Sequence, residues 1–154
     1  MMTATGTLKT IIPFRFNPGE DVYRSMEALC REQGITAGVL LSGIGSLDGV
    51  RFCDIRPLEH EKCGCGYGDP ITMEGLFELL SISGVIGRAE DGAPNLHLHF
   101  TFADGTGRVY GGHMGEGCTV KMTVEGVIGV LDGVAMERKY APELDVKVLQ
   151  PRSL

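Results

Sequence analysis

Apolar and polar residues alternate strictly through Asn95-Leu-His-Leu-His-Phe-Thr-Phe102. In an extended chain successive side chains point to opposite faces, so Leu96, Leu98, Phe100 and Phe102 share one face and His97 and His99 the other. The turn sequence Asp104-Gly-Thr-Gly107 follows at once, which predicts an antiparallel hairpin of Asn95–Ala103 with Arg108–Met114. Other strands are predicted at Lys9–Phe16 (Pro13 marking an edge or an end), Ala37–Ile44, Leu47–Ile55, Leu76–Ser83 and Thr119–Leu131, the last rich in β-branched residues. A different period marks Glu20–Gln33. There Val22, Met26, Leu29 and Cys30 fall on one helical face, and Gly34 suits the stop. Residues 59–70 read as a Gly- and Cys-rich loop, and the chain from Asp132 as a polar tail with a short strand at Val146–Leu149. One helix and about seven strands give the expected class: a single α+β domain over residues 1–154, built on an antiparallel sheet.

Composition narrows the function classes. No apolar run reaches the ~18 residues of a membrane span, and Met1–Ile12 lacks the apolar core of a secretory signal, so the cytoplasm is the expected compartment. Fourteen basic against 20 acidic side chains give a net charge of −6, and Arg138-Lys139 is the one adjacent basic pair. A strong phosphate-backbone binder normally carries a basic stripe, because counterion release supplies much of its affinity. The five cysteines are odd in number and read as thiols. Cys30 falls on the helix core face. Cys63-Gly-Cys65, close to His60 and Glu61, has two readings: a second metal or redox site, or a flexible loop. Ser42-Gly-Ile-Gly-Ser46 likewise reads as a strand bend or an anion cradle, and its spacing matches neither a P-loop nor a dinucleotide fingerprint.

The chemistry concentrates in the predicted hairpin. His97 and His99 lie on one face, and Gly111-Gly-His113 brings a third imidazole alongside from the neighbouring strand. Two ligands at i and i+2 plus a third across the ladder form a tripod for a divalent metal. Zinc is the first choice, with Ni, Co or Fe also compatible. Three protein ligands leave a coordination position open to water or a substrate oxygen. Glu78, in phase with Leu76, Leu80 and Ile82, is the candidate catalytic residue: a general base, an orienter of a ligand histidine, or simply a structural hydrogen-bond partner. Glu116 and Cys118 follow His113 and are candidates to line the same cavity, while Glu125 reads as solvated or at an interface.

The segments Ser42-Gly-Ile-Gly-Ser46, Gly75-Leu-Phe-Glu-Leu-Leu-Ser-Ile-Ser-Gly84, His97-Leu-His99, Gly111-Gly-His113 and Thr123-Val-Glu125, in that order, resemble the plants-and-prokaryotes-conserved (PPC) domain family over about residues 7–149. The resemblance implies an α+β fold around an antiparallel sheet, a homotrimer, and a histidine site that holds a metal in some prokaryotic members. It also implies a DNA-binding label, carried largely by plant relatives in which the domain follows an AT-hook. The Arg-Gly-Arg-Pro core of that hook is absent here, and Leu76 stands where the plant partner-contact segment has arginine. Three functions follow as expectations: a trimeric metal-binding protein that binds or acts on a small anionic molecule, a DNA-binding regulator, and a non-catalytic metal or ligand sensor.

Overall fold

The computed structural model describes residues 1–154. Strand β1 (Thr7–Phe16) leads into helix α1 (Val22–Glu32), and every later element is a strand. These are β2 (Gly38–Cys53), β3 (Ile55–Pro57), β4 (Cys65–Tyr67), β5 (Ile71–Arg88), β6 (Pro94–Asp104), β7 (Val109–Met114), β8 (Val120–Asp132), β9 (Val134–Ala141) and β10 (Val146–Ser153). Eight of them form one sheet in the order β1-β8-β2-β7-β6-β5-β9-β10, and β3 pairs with β4 separately.

The protein is therefore mostly β, which corrects the expected α+β class with its antiparallel sheet. The single helix is 11 residues long. The sheet is mixed, because β5 and β9 meet in parallel at Arg88 and Glu137. Two physical causes account for the extra strand content. The glycines of Ser42–Ser46 bend the chain without ending it, so two expected strands are one 16-residue strand, β2, whose register with β8 shifts at Leu40/Ser42 and Gly45/Leu47. At Gly45 a Cβ would lie 2.1 Å from the Thr123 carbonyl oxygen, so only glycine permits that bend. The polar tail is also ordered: β9 and β10 pair without a register shift from Val134↔Ser153 to Ala141↔Val146. Their polar composition fits strands of which little is buried.

Strands β2, β5, β6 and β7 close on themselves. β2 pairs with β5, β5 with β6, β6 with β7, and the end of β7 returns to β2 through Cys53↔His113 and Phe52↔Met114. The closed group contributes an aromatic cluster to the core, with the Phe102 ring 5.5 Å from Phe52 and 5.2 Å from Phe77. Helix α1 packs against β6 and buries Val22, Met26 and Cys30. Its N-terminus is capped by Asp21, whose carboxylate accepts the Arg24 backbone N–H at 3.0 Å. No polar or charged residue is fully buried, and no helix is long and apolar enough to cross a membrane.

Candidate metal centre

β6 alternates as its sequence requires. Leu96, Leu98, Phe100 and Phe102 are at most 5% exposed, whereas His97 is half-buried and His99 exposed on the opposite face. His113 on β7 stands directly across the ladder from His99. The imidazole centroids lie 5.1 Å (His97–His99), 5.2 Å (His97–His113) and 5.4 Å (His99–His113) apart. One ligand nitrogen from each ring falls within 4.8 Å of the other two. The Gly111-Gly112 pair makes this approach possible. A Cβ at Gly111 would sit 2.6 Å from the Phe100 carbonyl oxygen, and one at Gly112 would sit 2.7 Å from Asp54 Oδ1 and the Phe52 ring. Bare backbone is what fits β7 between β6 and the end of β2.

The geometry suits a metal. His97 Nε2 and His99 Nε2 are 3.2 Å apart, and two nitrogens bound to one tetrahedral zinc are separated by about 3.3 Å. All three donors are imidazoles with no carboxylate among them, a set suited to zinc and its first-row neighbours. The surroundings favour the neutral, ligating form of two of the rings, His97 and His113. Burial lowers the His97 pKa, with Arg138 and His99 adding to the effect. Burial, then the other two histidines, then Arg138 bring His113 down to about 4.

Two neighbours of the cluster were not foreseen. Tyr67, at the end of β4, places its hydroxyl 3.2 Å from His113 Nδ1, and the two rings lie 4.6 Å apart. Such a partner fixes ring orientation and leaves the other nitrogen free for a metal. It lies in the stretch expected to be an irregular loop, where no periodicity marks a strand. Arg138 of β9 lines a cavity of about 310 Å3 together with Ala89, Glu90, Asn95, Leu96, His113 and Lys147. On the other flank Ser81, Ser83, Thr101 and His99 border a depression of about 220 Å3.

The remaining sequence candidates lie elsewhere. Glu78 is exposed, across from Ser46 and Ala103, and is not among the residues grouped with the histidines. A register shift between Leu79 and Ser81 breaks its phase: Leu76 and Leu80 are exposed with it, while Ile82 turns into the core. Glu116 pairs with Arg24 of α1 at 2.5 Å. Cys118 is fully buried, and burial pushes its thiol up to about 11. Cys63 and Cys65 are free thiols with sulfurs 4.0 Å apart, and His60 stands 3.5 Å from Glu61. Ser42–Ser46 is a bent strand segment, as one of its two readings held, and Ser46 Oγ accepts the Met122 N–H at 3.1 Å. Glu125 is exposed, opposite Arg15 of β1 and Ile44 of β2.

Fold and site together define a mostly-β domain with one short helix and a surface cluster of three imidazoles. The chain belongs to the Plants and Prokaryotes Conserved (PCC) domain family, whose model it matches over residues 3–132. The three histidines fall inside that match, and Arg138 and Lys147 beyond it. A curated relative, the bifunctional protein GlmU of Synechococcus sp. (strain JA-2-3B'a(2-13)), is 38% identical over 125 residues. Those residues are 80% of this chain but 17% of GlmU, so the chain spans about a sixth of that relative's length. Among solved structures, a plant- and prokaryote-conserved protein from Pyrococcus horikoshii is 28% identical with a TM-score of 0.79, over 96% of this chain and 97% of that one. A metal-containing protein from Archaeoglobus fulgidus shares the fold at 24% identity and a TM-score of 0.81, over 97% and 99%. A protein from Ralstonia eutropha, provisionally described as DNA-binding, is 26% identical with a TM-score of 0.73, over 89% and 88%.

Proposed function

We propose that this protein binds one divalent metal ion, zinc by preference, through His97, His99 and His113, and offers the open coordination position to a small anionic molecule. The observation that carries this reading is the convergence of three imidazoles within 4.8 Å, with one pair already at metal-bound spacing. The Archaeoglobus fold neighbour, described as metal-containing, agrees with it. An ion held there would supply Lewis-acid polarisation or a bound water of lowered pKa. Tyr67 would hold the His113 ring in place, and the neutral donor set would leave the ion's charge for an anion to balance.

Self-association into a homotrimer belongs to the same proposal. It is supported by the family resemblance and by the large apolar side chains left exposed on four strands: Leu8, Leu41, Ile44, Leu76, Leu80 and Met122. A cytoplasmic setting is part of the reading too. DNA binding rests on the provisional description of fold neighbours and runs against the net charge of −6.

The test is elemental analysis of protein purified without an affinity tag, beside sedimentation to give the subunit number. We expect near-stoichiometric metal, lost in His97→Ala while the far-UV spectrum is kept. A wild type that binds no zinc on direct titration would overturn the metal reading. Filter binding at low salt checks the DNA alternative.

A further inference from the structure

We infer that Arg138 and Asn95 form a subsite beside the three histidines that takes a small carboxylate bearing an adjacent hydroxyl, a 2-hydroxy acid in the simplest case. The inference rests on the metal-binding reading and names the ligand class for that site.

Arg138 carries the first part. It is half-buried, and no carboxylate lies within ion-pair distance of it, although its strand neighbour Glu137 pairs with both Lys139 and Arg152. One guanidinium nitrogen donates to the Lys147 carbonyl at 2.9 Å, which anchors the side chain and leaves its other N–H groups open. A partly desolvated charge without a counterion is costly unless something supplies one. The guanidinium fork fits a carboxylate by two parallel hydrogen bonds.

Its placement carries the second part. Arg138 lines the same cavity as His113, and no acidic group offsets it there: the one carboxylate in the lining, Glu90, is already paired with Lys147 at 3.0 Å. Adding a divalent ion on neutral imidazoles would make this wall more positive, which favours an anion over a neutral ligand. The volume of about 310 Å3 is at the small end for ligand pockets.

Asn95 supplies the third part. Asn95 lines this cavity, and its side-chain carbonyl oxygen is buried without a hydrogen-bond donor, so a small turn of the amide is what would offer it to a ligand. Buried polar atoms are rarely left without partners, and such an exception calls for an explanation. A hydroxyl next to the bound carboxylate would provide the missing donor.

The experiment is calorimetric titration of zinc-loaded protein with lactate and with propionate, which lacks the hydroxyl, with metal content measured on every sample. Lactate should bind more tightly than propionate. Arg138→Gln should weaken both by about 10- to 100-fold, the usual effect of losing a charged hydrogen bond. Arg138→Lys should recover part of that loss, and Asn95→Ala should abolish the preference for lactate. Full metal content in every variant is expected. Lactate binding that survives Arg138→Gln, or no lactate binding by metal-replete wild type at millimolar concentration, would overturn the subsite and leave the metal reading standing. A wild type that takes up no zinc would overturn the metal reading first, and the metal measurement separates the two failures.

Discussion

The β6–β7 and β9–β10 hairpins both reach the surroundings of His113, but they are held in place very differently. β6 is paired along both edges, its inner face is core, and β7 returns to β2, so the histidine-bearing hairpin is locked into a closed group of strands. β9–β10 joins β5 through the single parallel pair Arg88↔Glu137 and buries only Met136 and Ala141. The first arrangement fixes the histidine positions through strand pairing on both edges of β6. The second presents charge, through Arg138 and Lys147, on a hairpin that contributes little to the core. The division suits a site in which the metal position is constant and ligand choice is adjustable. The end of the family match at Asp132, between the two hairpins, fits it.

Three measurements can break or sharpen this contrast. The largest effect is expected from core truncation. Phe102→Ala, at a fully buried position of β6, should cost about 3–5 kcal/mol in urea unfolding, and Met136→Ala on β9 about 2 kcal/mol, the low end for its type. Equal costs would mean that the C-terminal hairpin is as integral as the first. Next comes Tyr67→Phe, which removes the hydroxyl beside His113 Nδ1. Zinc affinity should fall about 10-fold, with the urea midpoint nearly unchanged. A large loss of stability instead would make Tyr67 a structural residue.

The smallest effect is expected from Arg138→Gln, read in the pH dependence of the metal-free protein. An unfolded imidazole takes up its proton near pH 6.5, whereas folded His113 does so near 4. Between these values the unfolded chain binds more protons, so stability declines as pH falls from about 6.5 to about 4 and levels off below. Arg138→Gln should narrow that window slightly, since Arg138 is the last of the causes that lower His113. No narrowing would show that the second hairpin does not act electrostatically on the first.

What could be read from sequence alone follows the same division. Strict alternation and a strong turn signal located the β6–β7 hairpin, the shared face of His97 and His99, and the approach of His113, because each depends on neighbours close in the chain. Helix α1 was legible for the same reason, apart from its ends. Tyr67 was not, since a three-residue strand carries no period and its contact with His113 spans 46 positions. Arg138 was hidden because β9 and β10 are half-exposed and read as polar tail. Glu78 misled because its phase assumed unbroken alternation, and a bulge two residues later reversed it. The merger of two expected strands into β2 was missed for a related reason: a glycine bend and a strand end look alike until the partner strands are known.

The three imidazoles come from a single local hairpin, His97 to His113, whereas the strands that close around it are distant in sequence: Cys53 meets His113 across 60 positions. Such local pairing forms early in folding, and the distant pairing later. Metal could therefore be captured by a chain that has not yet closed. Binding to the incompletely folded chain reduces the stabilisation that mass action would otherwise give the native state. Zinc should accordingly raise the melting temperature less than its affinity alone would imply, and chelation should empty the site without unfolding the protein.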